Sequence, residues 1–142
     1  MRAEGIEFAP LQTSLSRNTS RHTMRGMHFT RVAEAKLVRC TQGSVFDVAL
    51  DLRSQSPTFG KWVGLELDAK RANAIFIPSG VAHGFLTLEP ESDVLYQIDR
   101  IYQSGFDAGV RWNDPFFGIK WPAAPQFIHP RDASYPDYRP PT

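Results

Sequence analysis

The side chains with chemical reach in this chain are four histidines (His22, His28, His83 and His129), one cysteine, Lys36, Tyr96 and a scatter of carboxylates. His28 stands in Arg25-Gly26-Met27-His28-Phe29-Thr30, directly after an Arg-Gly pair and between apolar neighbours. Imidazole titrates near neutrality, so a half-buried ring facing a cavity suits proton transfer. A core or surface histidine with a hydrogen-bond partner is the plainer alternative. His83 follows Pro78-Ser79-Gly80-Val81-Ala82, which predicts a place at the mouth of a strand, either in a pocket or capping local backbone groups. Tyr96 shares a strand face with Val94 and Ile98, as a core tyrosine or as a phenol in a cavity. Lys36 opens the run Lys36-Leu37-Val38-Arg39, where a solvated strand-end lysine is the alternative. Asp114, in Trp112-Asn113-Asp114-Pro115, is turn chemistry, and Asp132, in His129-Pro130-Arg131-Asp132, reads locally as a surface carboxylate. There is no His-x-His pair and no cysteine cluster, so no metal site is expected. No Gly-x-Ser-x-Gly turn and no Gly-rich phosphate loop is present either.

The elements that must position these groups are strands. Val45 to Leu52 alternates, with Phe46, Val48, Leu50 and Leu52 on one face and Asp47 and Asp51 on the other. Lys61 to Leu67 puts Val63, Leu65 and Leu67 in phase; Ala72 to Ile77, His83 to Leu88 and Val94 to Ile98 follow, with Gly- and Pro-containing turns between. Residues 12–20 read as an extended strand or a loop whose hydroxyls could line a polar site. Short strands near ten residues apart, with no sustained helical period, predict a β-sandwich or barrel. The tail from Trp121 carries Pro122, Pro125, Pro130, Pro136, Pro140 and Pro141 and cannot be a central strand.

Length and composition set the outer bounds. A chain of 142 residues with 42% hydrophobic and 22% charged residues fits one soluble domain, 1–142. Its parts are an irregular or edge-strand segment 1–24, a barrel 25–115 and a proline-rich tail 116–142 packing back on it. Sixteen basic and fifteen acidic residues leave a net charge of +1, no footprint for nucleic acid or an anionic membrane. Cys40 is alone, so no internal disulfide forms and burial as a small hydrophobe is expected. No apolar run reaches the roughly eighteen residues of a membrane span, and Met1-Arg2-Ala3-Glu4-Gly5 lacks a leader core; a cytoplasmic protein is expected.

Taken in order, the segments resemble the dTDP-4-dehydrorhamnose 3,5-epimerase family of cupin-type jelly rolls. The matching pieces are Arg25-Gly26-Met27-His28-Phe29, Lys36-Leu37-Val38-Arg39-Cys40, Gly43 to Arg53, Ser56-Pro57-Thr58-Phe59-Gly60-Lys61-Trp62-Val63-Gly64, Ile77 to Phe85, Leu95-Tyr96 and Gly109 to Pro115. The resemblance implies an all-β jelly roll, a homodimer, and epimerisation at carbon 3, carbon 5 or both of a dTDP-4-keto-6-deoxyhexose, with no cofactor and no metal. It casts His28 as the general base and Asp132 as the carboxylate that fixes its tautomer. Lys36 would stabilise the enolate, and Tyr96 would return a proton from the opposite face. Arg25 and His83 match pocket residues for sugar and diphosphate, and Gln12 and Tyr102 match nucleotide-contacting positions. Against the family pattern the chain reads as shortened at its N-terminus, where members carry a segment that covers the neighbouring subunit's pocket. The loop from His28 to Lys36 is also shorter, Ile101-Tyr102 replaces a tyrosine pair, and Ser14 replaces an asparagine. Two other readings share these motifs. A catalytically impaired sugar-nucleotide-binding cupin would gain thermal stability with ligand but exchange no protons with solvent. A dTDP-sugar ketoisomerase would use a different histidine arrangement.

Overall fold

The computed structural model describes residues 5–140. Met1 to Glu4, where no leader core was expected, and Pro141 of the tail lie outside the described residues. The all-β expectation holds. Ten strands are present among the described residues, and the one helix, α1 (Pro130–Ala133), is a single turn. Strands β1 (Gln12–Asn18), β8 (Ser92–Ile98), β3 (Lys36–Gln42) and β6 (Ala74–Ile77) form a four-stranded sheet in that order. The second sheet runs β10 (Phe127–Ile128), β2 (Thr23–Thr30), β7 (Val81–Thr87), β4 (Ser44–Asp51), β5 (Trp62–Asp68), with β9 (Asp107–Gly109) also pairing β2. Neighbours are antiparallel except β10 on β2, and the two sheets face each other as a jelly roll. Residues 12–18, open between strand and loop in the sequence, are an edge strand.

Two apolar cores lie on opposite sides of the second sheet. Inside the barrel, Val38, Cys40, Val45, Leu67, Ile77, Phe85 and Val94 pack together. Outside it, Met27, Val48, Leu50, Ala82, Val110 and Phe117 are covered by Ile119, Trp121 and Tyr138 of the C-terminal segment. This explains why the alternation in β4 does not separate core from solvent. The apolar face Phe46, Val48, Leu50 packs outside the barrel under the tail, whereas Asp47 and Asp51 are on the inward face and only 0% and 6% exposed. A strand buried on both sides reads as almost continuously apolar, and its polar positions mark the interior.

The phase of β5 is right but its burial is not. Leu67 is buried, yet Val63 and Leu65 are 61% and 40% exposed. β5 is the last strand of its sheet, so inward side chains beyond Leu67 have a neighbouring strand on one side only. Cys40 is buried as expected, and burial pushes its thiol up to about 11. A protonated thiol in that setting is a packing group. The prolines leave the tail too short of donors for a central strand. Its one paired stretch, Phe127–Ile128, adds to the sheet edge beside Thr23 and Met24.

Candidate active site

The edge pairing of β10 on β2 is what assembles the site. Phe127 and Ile128 lie beside Thr23 and Met24, and both chains then run in the same direction. Four residues past each, Asp132 and His28 meet. Asp132 stands in α1, which His129 caps by accepting the Arg131 N–H. Its carboxylate takes His28 Nε2 at 2.8 Å on one oxygen and the Gly26 N–H at 3.2 Å on the other. The group read locally as a surface carboxylate is 2% exposed, because four residues of chain fold it against β2. Burial pushes its carboxyl up, but the His28 hydrogen bond and charge, the Gly26 N–H and Arg131 outweigh burial and hold it below the usual carboxylate range.

β2 is irregular where this happens. The register with β7 shifts between Arg25 and His28, so residues three apart both turn toward the barrel interior. At the irregularity Gly26 has φ +119°, and its Cα sits so close to β7 that a Cβ would lie 2.6 Å from Gly84 Cα. No residue with a side chain fits there.

His28 opens onto a cavity of about 350 Å³ at one end of the barrel. Lys36, Gln12 and Tyr102 line it, together with Ser14, Glu34, Ile98, Arg100, Asp107, Ala108, Arg131 and Tyr135. Gln12 is tied down by accepting the Tyr102 N–H at 2.7 Å. With Asp132 on Nε2, the hydrogen-bond pattern assigns the proton to that nitrogen and leaves Nδ1 as the basic lone pair.

Three expected site residues do not line this cavity. Arg25 reaches along the inner face of β1 to the Asn18 amide oxygen, at 2.6 Å. His83 is not at a strand mouth and caps no backbone group. It lies within β7, 3% exposed, with Nε2 at 2.9 and 2.8 Å from the two Asp47 oxygens. It is also the register partner of His28 on the adjacent strand. Tyr96 stacks edge-on against His83, ring centroids 5.7 Å apart. Burial, then the Asp47 charge, raise the Tyr96 phenol well above its ordinary value, with Arg25 opposing. Asp47 itself is raised by burial in spite of His83 and Lys36. Asp47, Glu34 and Arg100 were not foreseen. Arg100 continues the inward phase Val94, Tyr96, Ile98, and Glu34 sits two residues ahead of Lys36, so an alternation carried past the strand ends would have found both. Among the described residues no group of three His, Cys, Asp or Glu side chains is arranged to hold a metal ion.

Comparison with known proteins gives the arrangement a context. A family model described as dTDP-4-dehydrorhamnose 3,5-epimerase matches residues 1–139. An enzyme of that name from Sinorhizobium fredii is 43% identical over 117 residues, covering 80% of this chain and 60% of its own length. One from Salmonella typhimurium is 45% identical over 106 residues, covering 73% of this chain and 58% of its own. The chain thus spans about three-fifths of the length of these curated relatives. In solved structures it is similar to the Bacillus anthracis epimerase with TDP and PPi bound, at TM-score 0.92 and 36% identity, covering 95% of this chain and 78% of that one. A Legionella pneumophila enzyme in complex with dTDP-4-keto-L-rhamnose aligns at TM-score 0.88 and 35% identity, over 94% of this chain and 72% of that one.

Proposed function

This chain belongs to the dTDP-4-dehydrorhamnose 3,5-epimerase family, and on that premise we propose that it epimerises a dTDP-4-keto-6-deoxyhexose at carbon 3, carbon 5 or both. The observation that carries the reading is the Asp132–His28 pair opening onto a cavity that Lys36 also lines. A proton beside a ketone is acidified by the carbonyl, and its removal leaves charge on the carbonyl oxygen. His28 Nδ1 takes that proton, while Nε2–H stays on Asp132, whose charge stabilises the imidazolium. The Lys36 ammonium stabilises the enolate oxygen. Tyr96 does not itself line the cavity; kept as a neutral phenol by burial, it is the residue to which the family likeness assigns the proton returned to the opposite face of the carbon. Imidazolium and phenolate then reset through solvent. Gln12 and Tyr102, joined at the cavity rim, take the nucleotide end. Arg25 and His83 act from the barrel interior, His83 by holding its ring beside Tyr96.

The same reading includes a homodimer. The outer face of the four-stranded sheet carries Leu15, 48% exposed, opposite Leu95, with Leu37 opposite Phe76 alongside. An apolar sheet face of this kind suits a second copy. A reducing cytoplasmic setting belongs to it too, since the buried lone thiol of Cys40 needs no oxidising compartment.

The test is incubation with dTDP-4-keto-6-deoxyglucose in deuterated water, following each sugar proton by NMR. Exchange at carbon 3, carbon 5 or both is expected, absent in His28→Ala and retained without epimerisation in Tyr96→Phe. Ligand-dependent thermal stabilisation with no exchange would replace the reading with a sugar-nucleotide-binding protein.

A further inference from the structure

Glu34 lines the cavity and is used by none of the steps above. It stands two residues before Lys36, with a side chain only 10% exposed. Its two oxygens are divided between two cations: Oε1 lies 3.5 Å from Lys36 Nζ and Oε2 accepts from Arg100 at 3.0 Å. Those cations are themselves largely buried, Lys36 to 18% and Arg100 to 16% exposure. Two positive side chains in one partly closed wall repel each other unless a carboxylate lies between them. Arg100 also donates to the Ile101 carbonyl and the Thr30 hydroxyl, each at 3.4 Å, so the 3.0 Å bond to Glu34 is its shortest, and its buried Nε has no partner among the described residues.

The backbone holds that carboxylate in place from both sides. The Glu34 N–H donates to Ser79 Oγ at 3.3 Å, and the Ala35 N–H to Asp99 Oδ1 at 2.8 Å. The Asp99 N–H returns to the Ala35 carbonyl at 3.2 Å. A flexible lysine stem loses rotamer freedom when fixed, so an ammonium that must meet a developing charge benefits from an anchor made before substrate arrives. The Asp47 carboxylate deeper in the barrel also feels the Lys36 charge, but the carboxylate paired with the ammonium is Glu34.

We propose that Glu34 is the positioning residue for Lys36: it bridges the Lys36 ammonium and the Arg100 guanidinium and so holds both cations in the cavity wall, toward the oxyanion of the bound ketosugar. The idea rests on the epimerase reading for what the cations face, but the bridge itself is separable from it. Glu34→Gln keeps the size of the side chain and removes its charge. It is expected to lower kcat between about 10-fold and 100-fold, with KM changed far less and melting temperature near wild type. If Glu34 acts through Lys36, Lys36→Ala/Glu34→Gln is no slower than Lys36→Ala alone. A Glu34→Gln enzyme with wild-type kcat, or losses that multiply in the double variant, overturns the proposal. Amine labelling by trinitrobenzenesulfonate, mapped to Lys36 by mass spectrometry, reads the bridge without turnover. Faster labelling of Lys36 in Glu34→Gln than in wild type supports it, and equal rates overturn it. A wild-type protein that exchanges no sugar protons sinks the epimerase reading while leaving that labelling comparison decisive for the bridge.

Discussion

Asp132 supplies what nothing on β2 can: a buried negative charge on the far nitrogen of His28, leaving the near one free. An amide at that position keeps the size and can present its oxygen or its NH₂ to the ring. With the NH₂ presented, the imidazole is driven to the opposite tautomer and the basic lone pair turns away from the cavity. Asp132→Asn is therefore expected to fold and bind ligand but to lose on the order of 10⁴ in kcat, as loss of the orienting carboxylate does in acyl-transfer triads. Single-turnover exchange measurements check it; a loss below tenfold would mean that the carboxylate is only structural. His28 was legible from its own surroundings only as a candidate, an imidazole after Arg-Gly in an alternating run, with a core or surface histidine left open; its role as base came from the family likeness. Asp132 and Asp47 were not, because a carboxylate shows its burial only through what lies across the fold, 104 and 36 residues away in chain. For Asp132 only likeness to a family supplied the pairing.

At the scale of elements, β2 does the positioning and does it through an irregularity. A regular strand would turn residues 25 and 28 to opposite faces, whereas here both serve the interior and Gly26 lies against Gly84 of β7. Gly26→Ala places a methyl 2.6 Å from Gly84 Cα and 2.8 Å from the His83 carbonyl oxygen, at a φ of +119° that side chains avoid. We expect a loss of about 3 kcal/mol in urea unfolding and a fall in activity larger than stability alone explains, since the strain bears on both histidine-bearing strands. A stability equal to wild type would show that the two strands can separate freely at this point. Strand existence and phase were readable from period-two alternation almost everywhere. Which face of β4 meets the barrel interior was not. The tail side hides Val48 and Leu50 from solvent as thoroughly as the barrel hides Asp47, and half-buries Phe46, and alternation reports a change of partner without saying which partner is inside.

The molecule as a whole is a sheet with a core on each side, Leu15 exposed on the outer face of the other sheet, and carboxylates of opposite electrostatic sense inside. If the outer face of the four-stranded sheet meets a second copy, Leu15→Glu shifts sedimentation from dimer to monomer with the barrel still folded; an unchanged species would place the contact elsewhere. The carboxylates make acid stability the sharper whole-molecule measurement. Asp51 accepts from Arg53 and from the Ser56 and Thr58 hydroxyls, and these bonds, led by Arg53, hold it far below its ordinary range. Asp132 is lowered as well. Unfolded, both carboxyls take up protons near pH 4, before the folded protein does, so their contribution is complete above that pH and drains away as pH falls through the folded values. Asp47 has the opposite sign: its raised carboxyl adds stability only at acid pH and loses it as pH rises through the folded value. Asp51→Asn should thus cost about 2 kcal/mol at pH 7 by loss of hydrogen bonds to a charged acceptor, and should flatten the fall in stability below about pH 4. Asp47→Asn should leave that fall unchanged and instead remove the gain in stability that wild type shows as pH drops toward about 4 from above, the range in which folded Asp47 takes up its proton before the unfolded chain does. Urea midpoints across the acid range check both, and a single common slope for wild type, Asp51→Asn and Asp47→Asn would mean that neither carboxylate differs in protonation between the folded and unfolded chain.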